Sequence, residues 1–257
     1  MGVIDGLIAG LPKEPIPVRA VVAGIRWTVV TSLGCGLAAS CLVSTDGPVQ
    51  TLPEAGQYHL KSVQELVQGL NNNNGLEASI GLAAYSSTLI PQIDQAIELN
   101  AFDLLAQLGT GKNVVMVGHF PQVEWLQGRV GSLKVLEKRP RPGDYPAEAA
   151  PDLIPSADVI AITAMTILNH TIDGLLALCP PTAVVIVLGP SAPLTPVLFD
   201  YGVDFISGTY VTEEESVLLT IMQGGSALKA RGTKKITLCK KPYKFDLPET
   251  NSPHGRI

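Results

Sequence analysis

GKNVVMVGHFPQVEWLQGRVGSLKVLEKRPRPGDYP, residues 111–146, decides the fold. Asn113 to Val117 is a short apolar run that stops at Gly118. Pro121 to Gly128 has helical character, and Leu133 to Glu137 is a second short apolar run. Two such runs joined through a helix predict parallel strands. The rhythm continues outward. Asp158 to Thr163, Ala183 to Leu188 and Val203 to Ser207 are three more predicted strands. Asn169 to Leu178 and Pro196 to Tyr201 are predicted helices, and Glu213 to Leu228 is the longest one. Lys234 to Lys240 adds an edge strand, and the polar tail after Pro242 is expected to be loosely ordered. Strands alternating with helices argue for a parallel sheet covered on both faces.

The sequence before this rhythm is different. Arg19 to Val30 alternates loosely and is rich in β-branched residues, Gly34-Cys35-Gly36 marks a turn, and Leu37 to Val43 returns as a partner strand. Asp46-Gly47-Pro48 closes the unit. Ser62 to Glu65 has the form of a capping box ahead of Val63, Leu66, Val67 and Leu70 on one helical face. Leu76 to Leu89 is a second helix that Pro91 ends or bends. The expected class is α/β: a small α+β domain over residues 1–105, then a domain with a mostly parallel sheet over 106–257.

Composition narrows the function. Lys plus Arg is 18 against 23 for Asp plus Glu, a net charge of −5. Duplex nucleic-acid binding needs the opposite balance. The N-terminus lacks a basic leader and carries Asp5 within its apolar run, so no signal peptide is read. Arg26 interrupts the longest charge-poor stretch, and no membrane insertion is expected. Four cysteines without a CxxC spacing read as reduced thiols of a cytoplasmic protein.

In an open α/β sheet, ligands bind beyond the carboxyl ends of the strands. That rule selects Gly118, His119 and Phe120 after the first strand, and Glu137 then Asp144 after the second. Thr163, Thr166 and Asn169 follow the third, Gly189, Pro190 and Ser191 the fourth, and Gly208 to Tyr210 the fifth. Gly118 permits close backbone approach, but no GxGxxG turn, P-loop or GxSxG elbow is present. Glu137 stands where an acidic residue grips a ribose. His119 is the candidate acid/base group or metal ligand. His119, Glu137 and Asp144 together are the candidate metal set. His170 and the Thr212-Glu213-Glu214-Glu215 capping box read as structural.

GKNVVMVGHFP (residues 111–121), ITAMTILNHTIDGLL (162–176) and LGPSAPLTPVLFDYGVDFISGTYV (188–211) resemble the putative heavy-metal-chelation family. GIRWTVV, CGLA and SIGLAAY (79–85) are similar to its N-terminal part, so the resemblance runs from about Arg19 to Leu228. It implies an enolase-N-terminal-like domain, a Rossmann-like domain and a pocket between them. It also implies handling of a pterin-, flavin- or siderophore-like chelator. The pocket residues it implies are Gly118, His119, Phe120, Thr163, Thr166, Asn169, Gly189, Pro190 and Ser191. Relatives place an Asn on the second N-terminal helix where this chain reads Ala84-Tyr85-Ser86, so Tyr85 or Ser86 would substitute.

Three readings stand at this point. The first is an enzyme or binding protein for a small polar chelator or its metal complex. The second is a transferase using a nucleoside-type methyl donor, motivated by Glu137. The third is a non-enzymatic metal carrier or sensor. The ligand is a small molecule or metal chelate, the cofactor a divalent metal or a nucleoside, and the apolar composition suits a homodimer.

Overall fold

The computed structural model describes residues 1–42, 51–89 and 96–242. The Asp46-Gly47-Pro48 turn, Pro91 and the tail beyond Pro242 lie outside the described residues.

Helix α1 (Val3–Ala9) comes first, with Val3 and Leu7 fully buried. Strands β1 (Ala20–Ala23), β2 (Trp27–Thr31) and β3 (Cys35–Ala39) form an antiparallel sheet in that order. The expected Arg19–Val30 strand is therefore two strands, split at Gly24-Ile25-Arg26. The return strand begins at Cys35, because the turn falls at Ser32 to Gly34. All five residues of β2 are buried. Its Val30 joins Ala38 of β3 and residues of α3 (Gly75–Ser86) in one core. Trp27 and Val29, with Leu37, pack instead on α9 (Glu214–Met222) through Val217 and Ile221. The sheet is buried on both faces, and this is why β2 shows no strict polar alternation.

Helix α2 (Val63–Val67) starts on the expected capping box. Ser62 Oγ accepts from the Glu65 N–H at 3.3 Å, and the Glu65 carboxylate accepts from the Ser62 N–H at 2.8 Å. Asn74 caps α3 through the Leu76 and Glu77 N–H groups. Small residues on α3 bring it close to β3. A Cβ at Gly36 would collide with the Ala83 carbonyl and the Ser87 N–H.

The larger sheet has eight strands: β4 (Ala96–Ile97), β5 (Asn113–Val117), β6 (Ser132–Glu137), β7 (Tyr145–Pro146), β8 (Val159–Thr163), β9 (Val184–Leu188), β10 (Phe205–Val211) and β11 (Thr233–Cys239). Their spatial order is β4-β11-β10-β9-β8-β5-β6-β7. From β10 to β7 every pairing is parallel, while β11 runs antiparallel to both β10 and β4. Alternate side chains serve two cores. Ile160 and Ile162 of β8 join α6 (Ala150–Leu153), α7 (Met165–Leu168) and α8 (Ile172–Ala177). Val159 and Ala161 join α4 (Ala101–Leu108) and α5 (Val123–Gln127). The expected mixed α/β class, with a mostly parallel sheet, is what the chain adopts.

Several boundaries differ from expectation. Lys234–Lys240 is not at the edge, because the two-residue β4 pairs outside β11. The Asn169–Leu178 helix is broken: His170 takes φ +60°, and α8 begins only at Ile172. Residues 196–201 form a 3-10 helix. The helix expected from Glu213 to Leu228 ends at Met222, stopped by Gly224 and Gly225, so the twelve-residue α3 is longer. Its capping box is absent. Glu213 caps without a side-chain bond, and Glu214 pairs instead with Arg19 at 2.6 Å. No helix among the described residues is long and apolar enough to cross a membrane.

Candidate functional site

Strand order reverses between β5 and β8: the chain runs from β5 out through β6 to β7, then returns to β8 on the other side. The crevice of such a sheet opens at this reversal, beyond the carboxyl ends of the strands. Gly118 leaves β5 there at φ +98° and donates its N–H to the Leu136 carbonyl at 2.8 Å. A Cβ on Gly118 would stand 3.0 Å from Thr163 Cγ2. Gly189, at φ +120°, flanks Thr163 on the other side, with Thr163 Oγ1 4.0 Å from where a Cβ would be. The Thr163 side chain therefore occupies the reversal point, and two glycines keep backbone close around it.

His119 is held from two directions. Its backbone N–H donates to Glu137 Oε2 at 2.9 Å. Its ring Nδ1 lies 2.9 and 3.0 Å from the two oxygens of Asp144. The Asp144 side chain is only 4% exposed and that of His119 15%. Asp144 also accepts the Arg141 N–H at 2.9 Å. A carboxylate can only accept, so Nδ1 carries a proton, and in the neutral ring the lone pair is on Nε2. No protein group among the described residues bonds to Nε2.

The other expected residues divide by what they touch. Thr166 Oγ1 donates to the Thr163 carbonyl at 2.7 Å. Only one orientation of the Asn169 amide gives both of its atoms suitable partners: oxygen 3.2 Å from Lys138 Nζ, and nitrogen on the Thr166 carbonyl and Thr171 Oγ1. Glu137 spends its carboxylate on the His119 and Arg139 N–H groups. Phe120 stacks edge-on against Phe102, 5.6 Å between centroids, in the core under the sheet. Ser191 turns toward the small sheet, where its Oγ accepts the Ala39 N–H at 2.8 Å. His170 donates from Nε2 to the Leu70 carbonyl at 2.7 Å, a bridge between segments.

Pro190 lines a small, partly open cleft with Cys35, Gly36, Leu37, Ser86, Thr209 and Tyr210. Of the two residues expected to close the pocket from the second N-terminal helix, Tyr85 is committed, donating to Thr195 Oγ1 at 3.1 Å. Ser86 lines the cleft, and its buried Oγ has no hydrogen-bond partner among the described residues. Sequence does not single out Lys138 as a ligand group, and its signal there is the basic run after Glu137.

Two family models match the chain, over residues 4–89 and 100–240, and both carry the description "Putative heavy-metal chelation". The chain belongs to this heavy-metal-chelation family. It is similar to a crystal structure of a family protein of unknown function from Desulfitobacterium hafniense, with 28% identity and a TM-score of 0.81 over 93% of this chain and 98% of that one. A second family structure, from Pyrococcus horikoshii, shares the fold at a TM-score of 0.75 and 18% identity, covering 92% and 98% of the two chains. An uncharacterized protein of Methanocaldococcus jannaschii is 25% identical over 184 residues, 68% of this chain and 70% of that protein.

For a heavy-metal-chelation protein the donor set matters. Among the described residues, no group of three or more His, Cys, Asp or Glu could hold a metal ion. His119 and Asp144 satisfy each other, and Glu137 is turned to backbone. The thiols of Cys35, Cys41, Cys179 and Cys239 are scattered, and burial raises the pKa of each. Soft metals bind thiolate, not thiol. The described residues do not fit a resident metal held by the protein alone.

Proposed function

We propose that this chain binds a small polar metal-chelating molecule, or the metal complex of one, at the carboxyl edge of the large sheet. The observation that carries this reading is the Asp144–His119 pair at the strand-order reversal. It supplies one oriented imidazole nitrogen, which is what a chelate with an open coordination position requires. A bare ion needs more donors than the described residues offer. Gly118 and Gly189 allow close approach of the ligand to backbone, and Thr163, Thr166 and Asn169 provide the polar surround. In this reading the ligand lies where the 1–105 part meets the 106–257 part, and Pro190 and Ser86 form its far wall. A pterin-, flavin- or siderophore-like ligand has the required size and polarity.

The test is calorimetric titration of the full chain with nickel nitrilotriacetate, a chelate with open positions, and with free nickel ion. The chelate should bind with one-to-one stoichiometry, and His119→Ala should abolish that binding while leaving the melting temperature within a few degrees. Undiminished binding by the variant would overturn the reading, and so would tight uptake of the bare ion at the same site.

A further inference from the structure

The loop from β6 to β7 begins Lys138-Arg139-Pro140-Arg141, three cations in four residues of a chain whose net charge is −5. The loop is pinned. Arg139 N–H donates to Glu137 at 3.3 Å, and Arg141 N–H and carbonyl both bond to Asp144, each at 2.9 Å. The same carboxylates that hold His119 therefore also fix the cations beside it. The Lys138 side chain is exposed and reaches the end of α7, where its ammonium lies 3.2 Å from the Asn169 amide oxygen once that amide is oriented to pair both of its atoms. It is also near enough to Cys41, just past β3, to oppose the raising of that thiol's pKa by burial. No carboxylate pairs with Lys138 among the described residues. An exposed cation tethered by a neutral amide keeps its charge available to an incoming anion, and a charge-assisted hydrogen bond to that anion is stronger than the one to the amide.

We infer that Lys138 seats an anionic group of the ligand, a carboxylate or phosphate, beside the His119–Asp144 pair. The inference rests on the strand-end reading above and adds the charge of the ligand to it. A polycarboxylate chelator keeps negative charge after it has taken up a divalent metal, so its complex is distinguished from a cationic amine complex of the same metal. Selection by charge then does the work that a set of protein metal ligands would otherwise do.

The experiment titrates the full chain with two nickel chelates that both leave coordination positions open: the anionic nitrilotriacetate complex and the cationic tris(2-aminoethyl)amine complex. The wild-type chain should prefer the anionic complex about tenfold or more, the scale of one hydrogen bond to a charged group. Lys138→Gln should erase most of that preference, and Lys138→Glu should reverse it. An unchanged preference in Lys138→Gln overturns the inference, and the strand-end reading stands provided His119→Ala still loses binding. Should His119→Ala lose nothing, that reading fails, and the Lys138 seat is judged on the charge preference alone. Inorganic phosphate and succinate are then added as competitors. Competition by either supports the seat and tells which anion it takes, and competition by neither overturns it.

Discussion

The Asp144 carboxylate meets His119 Nδ1 at 2.9 Å across 25 residues of chain. One residue comes from the exit of β5 and the other from the loop leading into β7, so parallel pairing of β5, β6 and β7 is what joins them. The consequence is a fixed tautomer. A carboxylate on Nδ1 holds a proton there, so the neutral ring directs its lone pair from Nε2.

Removing that carboxylate should therefore weaken the imidazole as a ligand without removing it. Asp144→Asn should lower affinity for nickel nitrilotriacetate by about 10–100-fold, the usual cost of losing a partner behind a metal-binding histidine. His119→Ala/Asp144→Asn should bind no worse than His119→Ala alone, because Asp144 acts through the ring. Calorimetric titration of the four proteins checks this. Additive losses would show that Asp144 touches the ligand itself.

Two glycines should fail for different reasons. Gly36→Ala places a methyl against the backbone of α3 at Ala83 and Ser87, which cannot move without lifting the helix off β3. A loss above about 3 kcal/mol is expected. Gly118→Ala meets a side-chain methyl, Thr163 Cγ2 at 3.0 Å, and a backbone at φ +98°. It should cost about 1–3 kcal/mol. Thr163→Ser deletes that methyl but keeps the Thr163 Cβ at 3.1 Å, so it should relieve part of the steric loss of Gly118→Ala and leave the backbone part. Urea denaturation of the double mutant separates them, and complete recovery would refute the φ argument.

What could be read from the chain alone followed the range of the interactions. The Ser62–Glu65 capping box is local, and the sequence shows it. The apolar strands β5, β6, β8, β9 and β10 announce themselves because both faces of the sheet are covered, while the two exposed residues of β7 carry no such signal. β4 is two residues long and gains its place only from β11. The burial of all of β2 depends on α9, nearly two hundred residues later, so its pattern reads as loose alternation. His119, Asp144 and Glu137 were each visible as loop residues at strand exits. Their division of labour was not, because it depends on which side chain turns to ring, backbone or solvent. Ser191 shows the same limit: the exit rule finds it, but its hydroxyl turns toward another sheet.

Ser191→Ala separates those two roles. The substitution leaves the Ala39 N–H without its acceptor at the join of the two sheets. A loss of about 1–3 kcal/mol in stability is expected, with nickel nitrilotriacetate affinity unchanged within about twofold. A stable variant with lost affinity would place Ser191 on the ligand instead.

The thiols make the last prediction, and it is one of pH. Burial pushes Cys35 up to about 12, with Glu214 adding to the rise and Arg19 opposing it, and burial alone pushes Cys179 to about 11. Cys41 and Cys239 are raised by burial as well. The thiolate is the reactive form, so at pH 8 the folded chain should react with a disulfide reagent far more slowly than the chain unfolded in guanidinium. Glu214→Gln removes a raising charge and leaves Arg19 lowering, so Cys35 should label faster in that variant. The same shifts bear on stability. Each folded value lies above the unfolded one, near 9, so the folded state keeps its protons longer. Their contribution is complete below pH 9 and falls as pH rises toward 11 and 12, where the unfolded chain has released protons that the folded chain holds. The urea midpoint should decline through that window, and less steeply in Cys35→Ala. Labelling of Cys35 at pH 8 as fast as in the unfolded chain would show that the thiol beside Gly36 is open to solvent.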